Sequence, residues 1–194
     1  MNIALYFGSF NPVHLGHVKL AEYLIENSAV DEVWFIVSPC NPLKDQKELI
    51  DEYLRLDMLM LAIKEQPKFK ASDVEFTMPI PSYTIDTLYK LKTNFPQHHF
   101  SLMIGSDNAL VFHKWKKYKQ LLKHFEVFVY PRTGYYFSEV AAKYPQMKLT
   151  DTPLYDISST QIRADLAQKK DVNHWLHPDV FQFIIENNLY QNQQ

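Results

Sequence analysis

Short apolar runs alternate along the chain with segments whose apolar residues recur at helical spacing. The runs, which predict buried strands, cover residues 2–7, 32–37, 69–74, 100–104, 126–130 and 147–149. The helical segments cover residues 15–27, 53–65, 138–144, 178–187 and a stretch that ends at about residue 94 and is capped by Ser82 or Thr84. Strand–helix–strand alternation predicts right-handed crossovers between parallel strands. We therefore predict an α/β fold, a Rossmann-like three-layer α/β/α domain with a mainly parallel sheet.

The second helical segment carries a specific prediction about which side of the helix is buried. Within residues 53–65, the apolar side chains that fall largely on one side are Tyr53, Leu56, Met60, Leu61 and Ile63. We expect this side to pack on the core, with the methionine as filling rather than as a ligand surface.

Composition describes an ordinary globular protein and excludes several classes of partner. The 194 residues are 46% hydrophobic and 22% charged, and the net charge is −2, so no basic field predicts nucleic-acid binding. One cysteine, Cys40, allows no internal disulfide, and no apolar run is long enough to cross a membrane. We expect one cytoplasmic domain over residues 1–190, no membrane or nucleic-acid partner, and a frayed polar tail over 191–194.

The stretch from Gly8 to His17 lies between the first predicted strand and the first predicted helix. Gly8 allows a ligand to approach the backbone closely, and His14 and His17 share one side near the helix start. Free N–H groups at that end favour an anion, so the combination predicts a phosphate site. Alternatively, the histidine pair is a surface or core feature, or part of a metal site. Zinc would need further ligands, which are not grouped around the pair in sequence.

Other polar residues follow predicted strands, where the same crevice would lie. Lys44 comes after two prolines in the loop behind the second strand, and it either faces a phosphate or is a solvated lysine. Gly105 ends a strand, and Asp107 either binds ribose hydroxyls or caps the next helix. Arg132 ends another strand and either contacts the nucleotide or is solvated.

Near the C-terminus, Ser158 and Gln161 have the spacing of a helix capping box. Ser159 and Thr160 would then lie in the first helical turn, and Arg163 would share their side of the helix. Hydroxyls, free N–H groups and a guanidinium together predict a cradle for a triphosphate.

Two of these stretches resemble the signatures of the nucleotidyltransferase superfamily. The residues His14 to His17 are similar to its (His/Thr)-x-Gly-His motif, and the segment from Ile157 to Arg163 is similar to its Ile-Ser-Ser-Thr-x-x-Arg motif. Many relatives carry a second glycine and an aspartate where this chain has Ser9 and Asn11, which removes one carboxylate. The resemblance implies that ATP is bound by these motifs, by the Lys44 loop and by the Gly105–Asp107 segment. The residues so implied are Gly8, Ser9, Phe10, His14, His17, Lys44, Gly105, Asp107, Ser159, Thr160 and Arg163.

A middle segment, from Pro81 to Leu88, resembles the Pro-Ser-Tyr-Thr-x-Asp-Thr-Leu stretch of bacterial nicotinate-mononucleotide adenylyltransferases. In that family, backbone amides here receive the pyridine carboxylate, which agrees with the preference of a helix N-terminus for an anion. The resemblance also places Trp115 against the nicotinate ring. The implied substrate-binding residues are Ser82, Tyr83, Thr84, Ile85, Trp115, Lys116 and Arg132.

The resemblance implies adenylyl transfer from ATP to nicotinate mononucleotide, with His14, His17 and Arg163 as the catalytic residues. We expect Mg²⁺ to be bound mainly through the ATP phosphates, with no protein metal site. A phosphopantetheine adenylyltransferase and a non-catalytic nucleotide sensor remain as alternatives. The choice between nicotinate and nicotinamide mononucleotide, and a homo-oligomeric assembly, are left open.

Overall fold

The computed structural model describes residues 1–39 and 49–191, and the predictions for Cys40, Lys44 and the last three tail residues lie outside these ranges. The strands are β1 (Asn2–Gly8), β2 (Glu32–Val37), β3 (Phe69–Ser72), β4 (His99–Gly105), β5 (Glu126–Tyr130) and β6 (Lys148–Leu149). The α-helices are α1 (Leu15–Asn27), α2 (Glu52–Ile63), α3 (Thr84–Asn94), α4 (Ser106–Leu110), α5 (Tyr118–His124), α6 (Phe137–Lys143), α7 (Ser159–Ala167) and α8 (Pro178–Glu186). Two 3₁₀ turns cover Phe112–Lys114 and Asn173–Trp175.

The strands form one parallel sheet in the order β3-β2-β1-β4-β5-β6. The chain runs outward from β1 to β3 on one side and then returns to start β4 beside β1. Ligands of such sheets bind outside the carboxyl ends of the strands where the order reverses. That point lies between Gly8 at the end of β1 and Gly105 at the end of β4.

Helices cover both faces of the sheet, because alternate residues of the central strands are apolar on both sides. In β1, Ala4 and Tyr6 belong to one buried cluster, which α1, α2, α7 and α8 complete. The neighbouring Ile3 and Leu5 belong to a second cluster on the other face, which α3 to α6 complete. The predicted three-layer α/β/α fold with a parallel sheet is confirmed.

The predicted core side of α2 is right for three residues and wrong for two: Ile63 is buried and Leu56 and Leu61 pack against the core. The side chains that it buries are Arg55, Met58, Leu59, Ala62 and Ile63. Tyr53 and Met60, expected in the core, are 59% and 47% exposed. Arg55 takes a core position instead, where its guanidinium is bound by backbone carbonyls. The helices α4 and α5 were also not predicted from the apolar pattern. Within the described ranges, no helix is long and apolar enough to span a membrane.

Candidate active site

The loop that joins β1 to α1 is packed against the end of β1 by an aromatic side chain. Phe10 has a left-handed backbone with φ of 46°, and its buried ring lies over Gly8. A Cβ at Gly8 would come within 2.8 Å of that ring, so the close packing requires glycine there. The Phe10 ring also meets the rings of Tyr6 and His17 at centroid distances of 5.7 and 5.2 Å. Phe10 therefore supports this loop from the core side.

A completely buried arginine from α2 connects this loop to the loop that follows β2. Arg55 Nη1 donates to the carbonyls of Ser9 at 2.7 Å and Ser38 at 2.8 Å, while Nε donates to the carbonyl of Ile50 at 3.0 Å. Burial lowers the pKa of Arg55, but a guanidinium remains protonated in proteins. Arg55 thus connects the segments that follow β1 and β2 in the chain.

Helix α7 and the chain end hold the same β1–α1 loop from the other side. Arg163 Nη1 donates to the Asn11 carbonyl at 2.8 Å, and Ser159 Oγ donates to the Pro12 carbonyl at 3.0 Å. The Tyr190 hydroxyl donates to Asn11 Oδ1 at 2.8 Å. The two signatures from opposite ends of the chain are therefore in direct contact.

The start of α7 shows the Ser158 half of the predicted capping box. The Ser158 side chain caps the helix by accepting from the backbone N–H of Gln161 at 3.5 Å. Thr160, in the first turn, is exposed. Thr160 is thus accessible to a ligand at the start of α7.

The two histidines stack at the start of α1, with ring centroids 3.7 Å apart and planes inclined by 26°. The backbone N–H of His14 donates to His17 Nδ1 at 3.2 Å. Because Nδ1 accepts, the proton of a neutral His17 ring lies on Nε2. His14 is 5% exposed, and burial, assisted by the positive charge of Arg132, lowers its pKa to about 3. His14 is therefore uncharged at neutral pH and retains one N–H donor.

At the end of β4, Gly105 leaves room for a carboxylate and a guanidinium that lie close together. Arg132 Nε lies 4.0 Å from Asp107 Oδ2. A Cβ at Gly105 would clash with Asp107 Oδ1 and lie 2.9 Å from Arg132 Cγ. Ser106 Oγ accepts from the Arg132 backbone N–H at 3.0 Å, which fixes the loop behind β5 to the start of α4. Asp107 and Arg132 thus lie together just beyond the carboxyl ends of β4 and β5.

Two tyrosine hydroxyls lie buried beside the crevice. Tyr6 and Tyr130 share a hydrogen bond of 3.2 Å between their hydroxyl oxygens. Burial raises the pKa of both phenols above the ordinary value. Both therefore remain protonated at neutral pH, and neither is suited to act as a general base.

A cavity of about 240 Å³ opens between the ends of β1 and β4 and the start of α3. Its lining includes all four predicted residues of the middle segment, Ser82 to Ile85, together with Trp115 and Lys116. Gly8 and Gly105 also line it, so the cavity adjoins the β1–α1 loop. The predicted pyridine-binding residues, apart from Arg132, are thus brought to one cavity. Arg132 lies with Asp107 instead.

The start of α3 forms one wall of this cavity. The N–H groups of Asp86 and Thr87 both donate to the Tyr83 carbonyl, at 2.8 and 3.2 Å, which leaves Thr84 and Ile85 as the first helical residues. The first N–H groups of a helix have no acceptor within the helix. Both of these residues line the cavity, so this wall is suited to a carboxylate.

Lys116 and Trp115 form another part of the wall. Lys116 Nζ binds Asp86 Oδ2 at 2.8 Å and lies 4.2 Å from the centre of the Tyr83 ring. The Trp115 ring packs against Phe112 with centroids 4.9 Å apart. These contacts fix a half-exposed cation and an aromatic ring beside the start of α3.

Sequence reasoning missed three residues that organise the site, namely Arg55, Glu75 and Tyr190. Glu75 is buried in the cavity wall, where its carboxylate binds Ser82 and Thr87. Arg55 interrupts the apolar pattern of α2, and a charged residue in the middle of such a helix is the signal that could have been used. Nothing local to Glu75 or Tyr190 in the sequence indicates their partners, since both contacts depend on the fold.

Comparison with known proteins places the chain in a family. The family model described as cytidylyltransferase-like matches residues 5–165. The chain belongs to this family of nucleotidyltransferases, and the predicted superfamily resemblance is confirmed.

The curated relatives are more specific. The "Probable nicotinate-nucleotide adenylyltransferase" of Flavobacterium psychrophilum is 41% identical over 192 residues, covering 98% of this chain and all of the relative. The protein of the same name from Bacteroides fragilis is 45% identical, covering 94% of this chain and 90% of the relative. Among solved structures, Plasmodium falciparum nicotinic acid mononucleotide adenylyltransferase complexed with NaAD has the same fold, with a TM-score of 0.83, 24% identity and 97% of each chain covered.

Proposed function

We propose that this protein is a nicotinate-nucleotide adenylyltransferase, which transfers the adenylyl group of ATP to nicotinate mononucleotide. The products are nicotinate adenine dinucleotide (deamido-NAD) and pyrophosphate, in the biosynthesis of NAD. One observation carries the proposal. The loop that starts α1 is bound directly by the α7 signature, through Arg163 and Ser159, and it adjoins a cavity whose wall is the start of α3. A triphosphate site and a carboxylate site therefore share one crevice.

The reaction needs no nucleophile from the protein. A phosphate oxygen of the mononucleotide attacks the α-phosphorus of ATP, a new P–O bond forms, and the bond to the bridging oxygen of pyrophosphate breaks. The second pKa of a phosphate monoester is ~6, so the attacking oxygen is already largely ionised at neutral pH. The protein's contribution is to align the groups and to stabilise the developing charge.

His17 is the donor that we assign to the α-phosphate. Its Nδ1 accepts from the His14 backbone, so the proton on Nε2 serves as the donor. His14 stacks on it and is neutral, which orients the His17 ring without adding a second charge, and His14 supplies its own N–H to the triphosphate. The ATP-binding role of Gly8, Ser9 and Phe10 is to shape the loop that carries both rings.

The start of α7 receives the β- and γ-phosphates. Thr160 supplies a hydroxyl, Ser159 and Thr160 supply backbone N–H groups, and Arg163 supplies a positive charge, which together stabilise pyrophosphate as it leaves. Lys44 adds a second cation to this set. Asp107 binds the ribose of the nucleotide, and Arg132 beside it contributes positive charge at the same end of the crevice.

Mg²⁺ enters with ATP as part of the substrate. The groups that face the phosphates are N–H donors, hydroxyls and cations, which bind phosphate oxygens rather than a metal ion. In residues 1–39 and 49–191, no three His, Cys, Asp or Glu side chains are grouped to hold a metal ion. The proposal keeps Mg²⁺ on phosphate oxygens and water, its usual environment.

The cavity receives the pyridine mononucleotide. The Thr84 and Ile85 N–H groups bind the ring carboxylate, the Trp115 ring packs against the pyridine, and Ser82, Tyr83 and Lys116 complete the wall. The proposal includes a single domain over residues 1–190, a cytoplasmic location, and free nucleotides as substrates.

The test is a panel of acceptors incubated with the purified protein, ATP and Mg²⁺. Nicotinate mononucleotide, nicotinamide mononucleotide and phosphopantetheine are supplied separately, and dinucleotide and pyrophosphate are measured. We expect strong preference for the nicotinate compound. Preference for the amide would retain the chemistry and overturn the carboxylate site. Turnover only with phosphopantetheine, or ATP binding with no product, would contradict the proposal.

A further inference from the structure

A buried carboxylate lies in the cavity wall and has no part in the reaction as described above. Glu75 is 2% exposed, in the turn that follows β3. Its Oε2 accepts from the Ser82 hydroxyl at 2.8 Å, and its Oε1 accepts from the Thr87 hydroxyl at 2.6 Å. Both donors are themselves buried. A buried carboxylate is costly to desolvate, so these two hydrogen bonds are strong determinants of the local structure.

The two hydroxyls bracket the segment that forms the carboxylate-binding wall. Ser82 precedes α3, and Thr87 lies at the end of its first turn. Thr84 and Ile85, whose N–H groups face the substrate in the proposed function, lie between them. Glu75 thus joins the two ends of this first turn through a single side chain.

The turn that carries Glu75 is also fixed to α3. Lys90 Nζ donates to the Val74 carbonyl at 3.3 Å and to Thr77 Oγ1 at 3.2 Å. The Met78 N–H donates to the Glu75 carbonyl at 3.0 Å. Because the turn is bound on both sides of Glu75, its carboxylate has a defined position relative to α3.

We propose that Glu75 is a positioning residue for the pyridine subsite and that it sets the preference for an acid over an amide. This inference rests on the proposed function. By holding Ser82 and Thr87, Glu75 fixes the direction of the Thr84 and Ile85 N–H groups. These rigid donors match a carboxylate, whereas the NH₂ of a carboxamide would place a donor against a donor.

The charge of Glu75 has the opposite effect, which makes the inference testable. Glu75 lines the same cavity as the substrate carboxylate, so charge repulsion alone would weaken binding of nicotinate mononucleotide. A glutamine at this position removes the charge but has only one oxygen to accept from two hydroxyls. If positioning dominates, Glu75→Gln weakens use of the nicotinate substrate; if repulsion dominates, it improves it.

The experiment compares wild type, Glu75→Gln, Thr87→Val and Thr87→Ser in steady-state kinetics with both pyridine mononucleotides and with ATP. A displacement of about 1 Å can cost on the order of 100-fold, so we expect kcat/KM for the nicotinate substrate to fall about 10- to 100-fold in Glu75→Gln and Thr87→Val. The ratio of acid to amide turnover should fall, while KM for ATP stays unchanged. Thr87→Ser retains the hydroxyl and should behave as wild type, as should the exposed control Thr93→Val on the same helix.

A double-mutant cycle between Glu75→Gln and Thr87→Val sharpens the test, because two changes to one hydrogen bond are not additive. If circular dichroism shows that Glu75→Gln does not fold, the comparison of Thr87→Val with Thr87→Ser provides the test instead. Unchanged or improved kcat/KM for the nicotinate substrate in folded variants, or an equal rise in KM for ATP, would overturn the inference. A wild type that does not use nicotinate mononucleotide would instead overturn the proposed function.

Discussion

One buried charged side chain organises each half of the crevice, and the two side chains have different kinds of hydrogen-bond partner. In the half that we propose binds the phosphates (the phosphate half, formed by the β1–α1 loop and the start of α7), Arg55 donates to backbone carbonyls that lie 46, 17 and 5 residues away in the chain. In the half that we propose binds the pyridine (the pyridine half, formed by the cavity at the start of α3), Glu75 accepts from hydroxyls only 7 and 12 residues away. Arg55 therefore connects separate parts of the fold, whereas Glu75 orders one local segment.

This difference has a consequence for mutations. Loss of Arg55 should lower the stability of the whole domain and weaken the use of both substrates, because the loops that follow β1 and β2 lose their common partner. Loss of Glu75 should weaken the use of one substrate only, because its partners belong to the wall that faces the pyridine in the proposed function. Four changes, from the largest expected effect to the smallest, test how far the two halves are separable.

The largest effect is expected for Arg55→Met, which keeps a long apolar side chain and removes the donors. The half-buried carbonyls of Ser9, Ser38 and Ile50 then lose this donor, and a buried polar group left unsatisfied costs about 1–3 kcal/mol. We expect the free energy of unfolding in urea to fall by about 3–5 kcal/mol. Exposed Lys119→Met is the matched control and should change it by less than about 0.5 kcal/mol. A folded Arg55→Met protein of unchanged stability would contradict the connecting role.

The next effect is on catalysis in the phosphate half. His17→Ala removes the donor assigned to the α-phosphate, and loss of one such donor typically lowers kcat by ~100- to 1000-fold. We expect KM for both substrates to change little, because the interaction strengthens as charge develops. Steady-state kinetics with saturating substrates measure this. Near-normal turnover in His17→Ala would contradict the assignment of His17 as the donor to the α-phosphate.

A smaller effect tests where the two halves meet. In Gly105→Ala the added methyl group clashes with Asp107 and crowds Arg132. If Asp107 binds ribose, displacing it should raise KM for ATP by about tenfold, the loss expected for one hydrogen bond to a charged group. The acid-to-amide ratio should stay unchanged, in contrast to Glu75→Gln. A fall in the acid-to-amide ratio as large as the rise in KM for ATP would show that the two halves are coupled.

The smallest effect concerns pH and stability. His14 has a folded-state pKa of about 3, whereas an unfolded histidine has a pKa of ~6.5. Between these values the unfolded chain binds one more proton, so stability falls as pH decreases below about 6.5. His14→Asn retains a favourable N-cap at the start of α1 and should reduce this slope by up to about 1.4 kcal/mol per pH unit. Urea titrations of both proteins at pH 5 and pH 7 measure the difference; equal slopes would contradict the buried, neutral state of His14.

The strands, and the helix starts that carry the two signatures, could be predicted to a large extent, since both depend on local sequence. Apolar runs set the strands, and the two signatures flank helix starts whose geometry follows from their residues. The burial of Arg55 in α2, in place of Tyr53 and Met60, could not be predicted, because a pattern of apolar residues counts Arg55 as a surface residue. Its burial depends on the carbonyls of Ser9 and Ser38, which only the folded sheet brings to it.

The pyridine half shows a similar limit. The segment from Ser82 to Ile85 was predicted from its resemblance to a family stretch, and the structure brings it to a cavity with Trp115. The sequence around Glu75 carries no comparable motif, because the role of Glu75 depends on the turn between β3 and α3. Arg132 was grouped with the pyridine residues, but it lies beside Asp107, since β5 ends next to β4 in the sheet.

The most direct test of the account follows the phosphorus atoms of ATP. The purified protein is incubated with nicotinate mononucleotide, Mg²⁺ and ATP labelled at the α-phosphate, and the products are separated. The account predicts that the label enters nicotinate adenine dinucleotide, with one pyrophosphate released for each dinucleotide formed. Label that stays in ATP, or appears in AMP without dinucleotide, would contradict it.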